Sequence, residues 1–230
     1  TRTAGGPARA ASLGFGAHTQ TNHGNLAGSF TFAHACKDNH IKPILGVEAY
    51  CAIGSRFDPQ SRIVRGELAT DDDTEAAKDS DDWSVEGSDV DPNSGKVKTN
   101  HHLTILAATK TGWRNLVTMM NKAQETVWYK PLIDLDLLAE HSEGLIVLTG
   151  CLGGPVAGPI AEGDMDGARA GLDALIDAVG FENVYIELMD HGTAADLDVL
   201  KGLKLLAAEY DMPMVATNDV LYHAPERRPL

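Results

Sequence analysis

Cysteine is scarce in this chain, basic residues are outnumbered, aromatics are few, and no long apolar run occurs. The three cysteines, Cys36, Cys51 and Cys151, are odd in number and far apart. That excludes a disulfide framework and a zinc-finger spacing, and it suits a reducing compartment. Lysine and arginine total 19 against 33 acidic residues, giving a formal net charge of −14. Such a balance provides no general electrostatic footprint for nucleic acid. Contact with DNA would therefore have to come through a local basic patch, a bound metal or a neighbouring domain. No apolar stretch approaches the roughly 18 residues of a membrane helix. Thr1-Arg2-Thr3-Ala4-Gly5-Gly6 also lacks the basic-then-apolar shape of a signal peptide. A soluble, cytoplasmic protein with no membrane partner is expected.

What is present suffices for a sizeable core. Of 230 residues 43% are hydrophobic, which excludes wholesale disorder and suits one large domain or two small ones. The charge is unevenly spread: from Glu67 to Asp91, Lys78 is the only basic residue among eleven acidic ones. The stretch 58–100 is also rich in Ser and Gly and has no sustained apolar period. It cannot bury enough surface to offset its ordering entropy. It is read as an acidic, disordered insertion within one domain spanning 1–230.

The remainder alternates between strand-like and helical patterns. Lys42 to Ala52, Leu103 to Ala108, Leu145 to Thr149, Val184 to Met189 and Met214 to Thr217 are compact runs of strand length. Trp113, Leu116, Val117 and Met120 recur at helical spacing. So do Ala168, Leu172, Leu175, Ile176 and Val179, and then Leu197, Leu200, Leu203, Leu206 and Tyr210. Near-continuous apolar strands alternating with amphipathic helices predict an α/β fold with a parallel sheet, closed or distorted into a barrel. One strand fits badly. Ala17 to Thr21 carries His18 and Gln20 where a buried parallel strand should be apolar, so it belongs at an edge or lacks a neighbour.

In parallel α/β folds functional groups collect at the carboxyl ends of strands. His23, Glu48, Cys151 and Asp219 fall at or just beyond such ends, and His102 is the exception, standing at the start of its strand. Mixed His, Glu, Asp and Cys donors suit zinc, with manganese or iron tolerated. Taken singly, each has a duller reading. A histidine beside a strand is most often a hydrogen-bonded core or surface residue, a lone cysteine a small buried hydrophobe, and a strand-terminal aspartate a helix cap. Their occurrence together, in order, is what carries weight.

The local phrases around these positions point to one family. They include Thr21-Asn22-His23-Gly24-Asn25, Ile41 to Tyr50 with Gly46-Val47-Glu48, Gly54-Ser55-Arg56-Phe57-Asp58 and His102-Leu103-Thr104. Further on come Gly112 with Arg114-Asn115-Leu116, Ala139 to Gly144, Gly150-Cys151-Leu152-Gly153-Gly154, Glu187 to Gly192 and Ala216-Thr217-Asn218-Asp219-Val220. Over nearly its whole length the chain resembles the PHP (polymerase and histidinol phosphatase) domain of a bacterial DNA polymerase III alpha subunit, actinobacterial-like in the Gly54 to Asp58 phrase. The resemblance implies a distorted parallel TIM-like barrel with up to three metal ions, zinc or manganese, at its strand ends. Carried over by position, the metal ligands are His23, Glu48, His102, Cys151 and Asp219, with no catalytic residue separate from them. Complete members of the family hydrolyse phosphoesters as proofreading 3′–5′ exonucleases.

The departures matter as much. The family's opening strand, with its His-x-His pair, would lie before Thr1, so a barrel with its first strand missing, truncated at the amino terminus, is expected. Asn22 stands where the family has Asp, and Leu221 where it has its last ligand His, for which His223 is a possible substitute. A two-metal mechanism needs ions roughly 3.5–4 Å apart, and a site short of several donors is expected to be degenerate and mainly structural. The resemblance further implies DNA, deoxynucleoside triphosphates, an adjacent polymerase domain and other replisome subunits as partners through a parent polymerase acting in DNA replication. Two alternatives stand beside this reading: an active metal-dependent exonuclease or phosphoesterase acting on DNA, and a stand-alone phage-type binding protein.

Overall fold

A computed structural model describes residues 2–58, 63–64, 67–68, 100–125, 127, 130–190, 192, 194–218 and 220. Its elements run in the order α1 (Arg2–Ser12), β1 (Ala17–His23), α2 (Ser29–Asp38), β2 (Lys42–Ala52), β3 (Ile63–Val64), β4 (Glu67–Leu68) and β5 (Asn100–Ala107). There follow α3 (Lys110–Gln124), β6 (Leu132–Ile133), α4 (Leu135–Glu140), β7 (Leu145–Leu148), α5 (Ala157–Ala161), α6 (Met165–Val179), β8 (Val184–Met189), α7 (Ala194–Glu209) and β9 (Met214–Thr217). The main sheet has the order β1-β2-β5-β7-β8-β9, with β6 added beside the far end of β2. It is a curled, mixed sheet consistent with a TIM-like barrel, and among the described residues β1 and β9 do not pair. The stretch 58–100, read as an acidic disordered insertion, lies almost wholly outside the described residues.

The expectation of an all-parallel sheet is corrected by one strand. β1 pairs parallel with β2, and β7, β8 and β9 pair parallel in turn. β5, however, runs antiparallel to both β2 and β7. An apolar run of strand length carries no mark of its direction, because side chains alternate in the same way whichever way the strand runs. The reversal explains the position of His102, since the start of β5 lies at the same end of the sheet as the finish of its neighbours.

The two faces of the sheet divide the chemistry by parity. Val47, Ala49 and Cys51 of β2, with Leu103 and Ile105 of β5, are buried against Leu116, Met119, Leu137, Leu138, Leu172, Leu175 and Leu206 of the covering helices. Each large aliphatic side chain among them contributes about 1.5–3 kcal/mol on burial. The even residues Glu48, Tyr50, His102 and Thr104 turn to the other face. Helix α7 buries Val199, Leu203, Leu206 and Ala207, whereas Leu197 is 55% exposed. Leu203 and Leu206 of the stripe that the sequence suggests are thus in the core and Tyr210 packs against it, while Val199 takes the place of Leu197. β1 does lie at the sheet edge, where His18 packs on Phe32 and Gln20 Nε2 donates to the Ala27 carbonyl, while Gln20 Oε1 is buried with no hydrogen-bond partner among the described residues.

Side-chain caps define the helix starts. Thr109, Asp134 and Asp164 accept from the amides of Gly112, Leu137 and Gly167, opening α3, α4 and α6. At Gly112 the helix α3 passes so close to the Gly144 turn that an added Cβ would stand 1.8 Å from the Gly144 carbonyl oxygen. The next turn is tied to the same segment through the Asn115 amide, 2.9 Å from the Glu143 carbonyl. Gly112→Ala is therefore expected to lower stability by about 1–3 kcal/mol, despite the better helix propensity of alanine. Urea unfolding measures this, and an unchanged midpoint would contradict the close approach.

Candidate metal centre

The register of three strands brings a glutamate between two histidines. Parallel pairing sets His23 of β1 opposite Glu48 of β2. Antiparallel pairing sets Glu48 opposite Thr104 and Tyr50 opposite His102, so Glu48 and His102 are diagonal neighbours on one face. One Glu48 oxygen lies 2.8 Å from His102 Nδ1, and the other lies 3.3 Å from His23 Nε2. A donor atom from each of the three residues falls within 4.8 Å of the others. The rings of His23 and His102 are perpendicular, and Tyr50 lies beside both, with its hydroxyl 3.5 Å from His23 Nδ1. Side-chain exposure rises from 10% at His102 through 17% at Glu48 to 38% at His23, so the group opens to solvent at His23.

Cys151 comes next to this trio. It lies in the loop that follows β7 and hydrogen-bonds His102, and its Sγ also accepts from the Gly153 amide at 3.4 Å. The loop is fastened to the start of β5, where the His102 amide donates to the Gly153 carbonyl. Gly150 adopts φ +83, and a Cβ there would stand 2.2 Å from the His102 carbonyl oxygen. Only glycine permits both the conformation and the approach. Burial opposes the charged form of His102, but the hydrogen bonds with Cys151 and Glu48 outweigh it and raise its pKa from 6.5 to about 9. Cys51, by contrast, is a buried hydrophobe whose thiol is pushed up to about 12 by burial and by Asp134.

Three of the five residues carried over by resemblance, His23, Glu48 and His102, thus meet at one place, and Cys151 adjoins His102. Asp219 and His223 lie outside the described residues, as do His191 and Leu221. Asn22 points away from the trio, its side-chain amide donating to the Ala27 carbonyl at 2.8 Å. A carboxylate could not make that bond. His101, next to His102 on β5, is half-buried.

One residue escaped the sequence reading. Glu187 of β8 is 1% exposed. Its carboxylate accepts from Thr217 Oγ1 at 2.7 Å, from the Gly150 amide at 3.1 Å and from the Thr104 side chain. Burial pushes its pKa above the usual carboxylate range, against the pull of those hydrogen bonds. The signal was available, since a lone glutamate within an apolar strand of a covered sheet needs partners.

His-Glu-His donors from separate strands, with a thiol alongside, fit a borderline cation such as zinc and also accommodate manganese. Comparison with known proteins shows what the chain is similar to. The family described as PHP domain matches residues 7–191. A DNA polymerase III subunit alpha of Saccharopolyspora erythraea is 38% identical over 203 residues, covering 88% of this chain and 16% of that protein. The protein of the same name from Mycobacterium tuberculosis is 36% identical over 214 residues, 91% of this chain and 16% of its own length. That of Treponema pallidum is 33% identical over 218 residues, 94% of this chain and 16% of its own. The chain therefore spans about one-sixth of the length of these relatives.

Proposed function

The chain belongs to the PHP domain family, and from that premise we propose that it serves as the PHP domain of a replicative DNA polymerase III alpha subunit, with a degenerate and mainly structural metal centre. The observation that carries this reading is the convergence of His23, Glu48 and His102 in a chain similar to several proteins of that name. In this reading the protein's DNA, deoxynucleoside triphosphates, polymerase domain and replisome partners are met through the remainder of a longer polypeptide.

The proposed role of each residue follows from its place. Glu48 supplies the negative charge between the two imidazoles. His102, held by Glu48 on one side and Cys151 on the other, gives up its proton when a cation binds. His23 closes the solvent side, Cys151 stands beside His102, and Asp219 is proposed as a further donor from the family resemblance alone. A divalent cation bound there would polarise a phosphoryl oxygen and acidify a bound water. Degeneracy is supported by Asn22, whose amide is committed to the Ala27 carbonyl, and by Leu221 where the family resembled carries histidine. With those donors replaced, a pair of ions at roughly 3.5–4 Å lacks its bridging ligands.

The solvent opening at His23 favours a second reading, an active 3′–5′ exonuclease or phosphoesterase. The purified chain distinguishes the two by elemental analysis and by incubation with manganese and single-stranded DNA. At most one zinc or manganese per chain, with no cleavage above the metal-free control, is the expected result. Two or more ions per chain with manganese-stimulated cleavage would replace the structural reading with the enzymatic one.

A further inference from the structure

We infer that Glu187 is a positioning residue for the metal centre, its buried carboxylate setting the spacing of the strand ends that carry His102 and Cys151. The inference rests on the reading of His23, Glu48 and His102 as metal donors, and it adds a residue that supports them from beneath.

Three partners hold this carboxylate, and they come from three different parts of the sheet. Thr104 lies on β5, two residues beyond His102 and on the same face. Gly150 follows β7 and immediately precedes Cys151. Thr217 ends β9, two residues before Asp219. The Glu187 amide adds a fourth tie, donating to Thr149 Oγ1 at 3.0 Å. In the sheet order β5-β7-β8-β9, β8 can reach β5 only because β7 ends at Leu148 and the chain turns away at Gly150. Gly150 in turn lies against the His102 carbonyl, and Gly153 accepts from the His102 amide. Glu187, the Gly150 loop and His102 are therefore linked contact by contact.

Stability alone is a poor reason for this arrangement. A carboxylate at 1% exposure is costly to desolvate, and among the described residues no cation pairs with it. Glu48 is near enough to repel it. An apolar side chain would fill the space without that penalty. What the carboxylate provides is a rigid acceptor of fixed size between strands whose ends must stay in register for donors to converge. Groups one step behind metal ligands commonly act in this way.

Cobalt(II) alone, as a spectroscopic stand-in, tests the inference on the purified chain through its visible ligand-field absorption and its affinity. Glu187→Gln keeps the shape but offers an amide that cannot accept from both Gly150 and Thr217. Thr217→Val keeps the Glu187 charge and removes one bond. Both variants are expected to stay folded by circular dichroism, bind cobalt about 10–100-fold more weakly and shift the ligand-field bands, with Thr217→Ser restoring both. A purely structural Glu187 would lower the urea midpoint and leave bands and affinity of the folded variants unchanged, which overturns the inference. A mere charge effect would weaken Glu187→Gln but spare Thr217→Val, which also overturns it. If the unaltered chain gives no ligand-field spectrum, the metal reading itself fails and takes this one with it. Normal binding by both variants sinks the positioning role alone.

Discussion

Replacing Arg56 by methionine is expected to destabilise the domain by about 3–5 kcal/mol, the range for breaking a buried ion pair from one side. Arg56 Nη1 lies 2.6 Å from Asp134 Oδ1, with the two side chains 14% and 5% exposed. The guanidinium also sits 4.3 Å from the Phe57 ring centroid. Methionine would preserve much of the side-chain volume while leaving the Asp134 carboxylate buried without its cation. That carboxylate keeps two other donors, the amides of Arg56 at 3.0 Å and Leu137 at 3.0 Å, so the loss should fall toward the lower end. Asp134→Ala removes all three bonds, of which the Leu137 one, the cap of α4, is itself worth about 1 kcal/mol. It should therefore be the more damaging change. Urea unfolding of both variants checks the order. A loss below about 1 kcal/mol for Arg56→Met would mean that the pair behaves as an exposed one.

Loss of the central carboxylate is expected to have the largest effect on metal binding. Glu48→Ala removes the oxygen atoms that face both histidines, at 2.8 Å and 3.3 Å, and leaves two imidazoles with no anionic donor between them. Partners one step removed from a metal are worth about 10–100-fold in affinity, and a direct donor should exceed that. Zinc affinity, measured by competition with a chelator of known strength, is expected to fall by more than about 100-fold. Because Glu48 is partly exposed and unburdened by core packing, the variant should remain folded. An affinity within a few-fold of the unaltered chain would show that the trio is a hydrogen-bonded cluster and no metal centre.

Much of this was legible in the sequence, for physical reasons that differ by element. The strands Val184–Met189 and Met214–Thr217 and the helix ending at Val179 coincide with apolar runs and periods that only one conformation satisfies. α1 gave little sign, since Gly5, Gly6 and Pro7 argue against a helix; it is held by packing on α2 and β1. The direction of β5 was illegible because alternation is symmetric under reversal, and so the odd placement of His102 looked like an exception. Glu187 was passed over because it sits inside a phrase whose other members drew notice. Single-residue reasoning could not bring His23, Glu48 and His102 together; that required register, which the chain specifies only through pairing.

The reversed strand has one more consequence. Ala52 and Asn100 stand opposite each other where β2 ends and β5 begins, so everything between them connects two strands already joined at their tips. Closure entropy rises only with the logarithm of loop length, about 0.6 kcal/mol for each doubling. Past the Arg56–Asp134 pair, chain can be added or removed at this rim with small thermodynamic effect. The floor beneath, fixed by strand register and by a glycine turn seated on a backbone carbonyl, allows no such latitude.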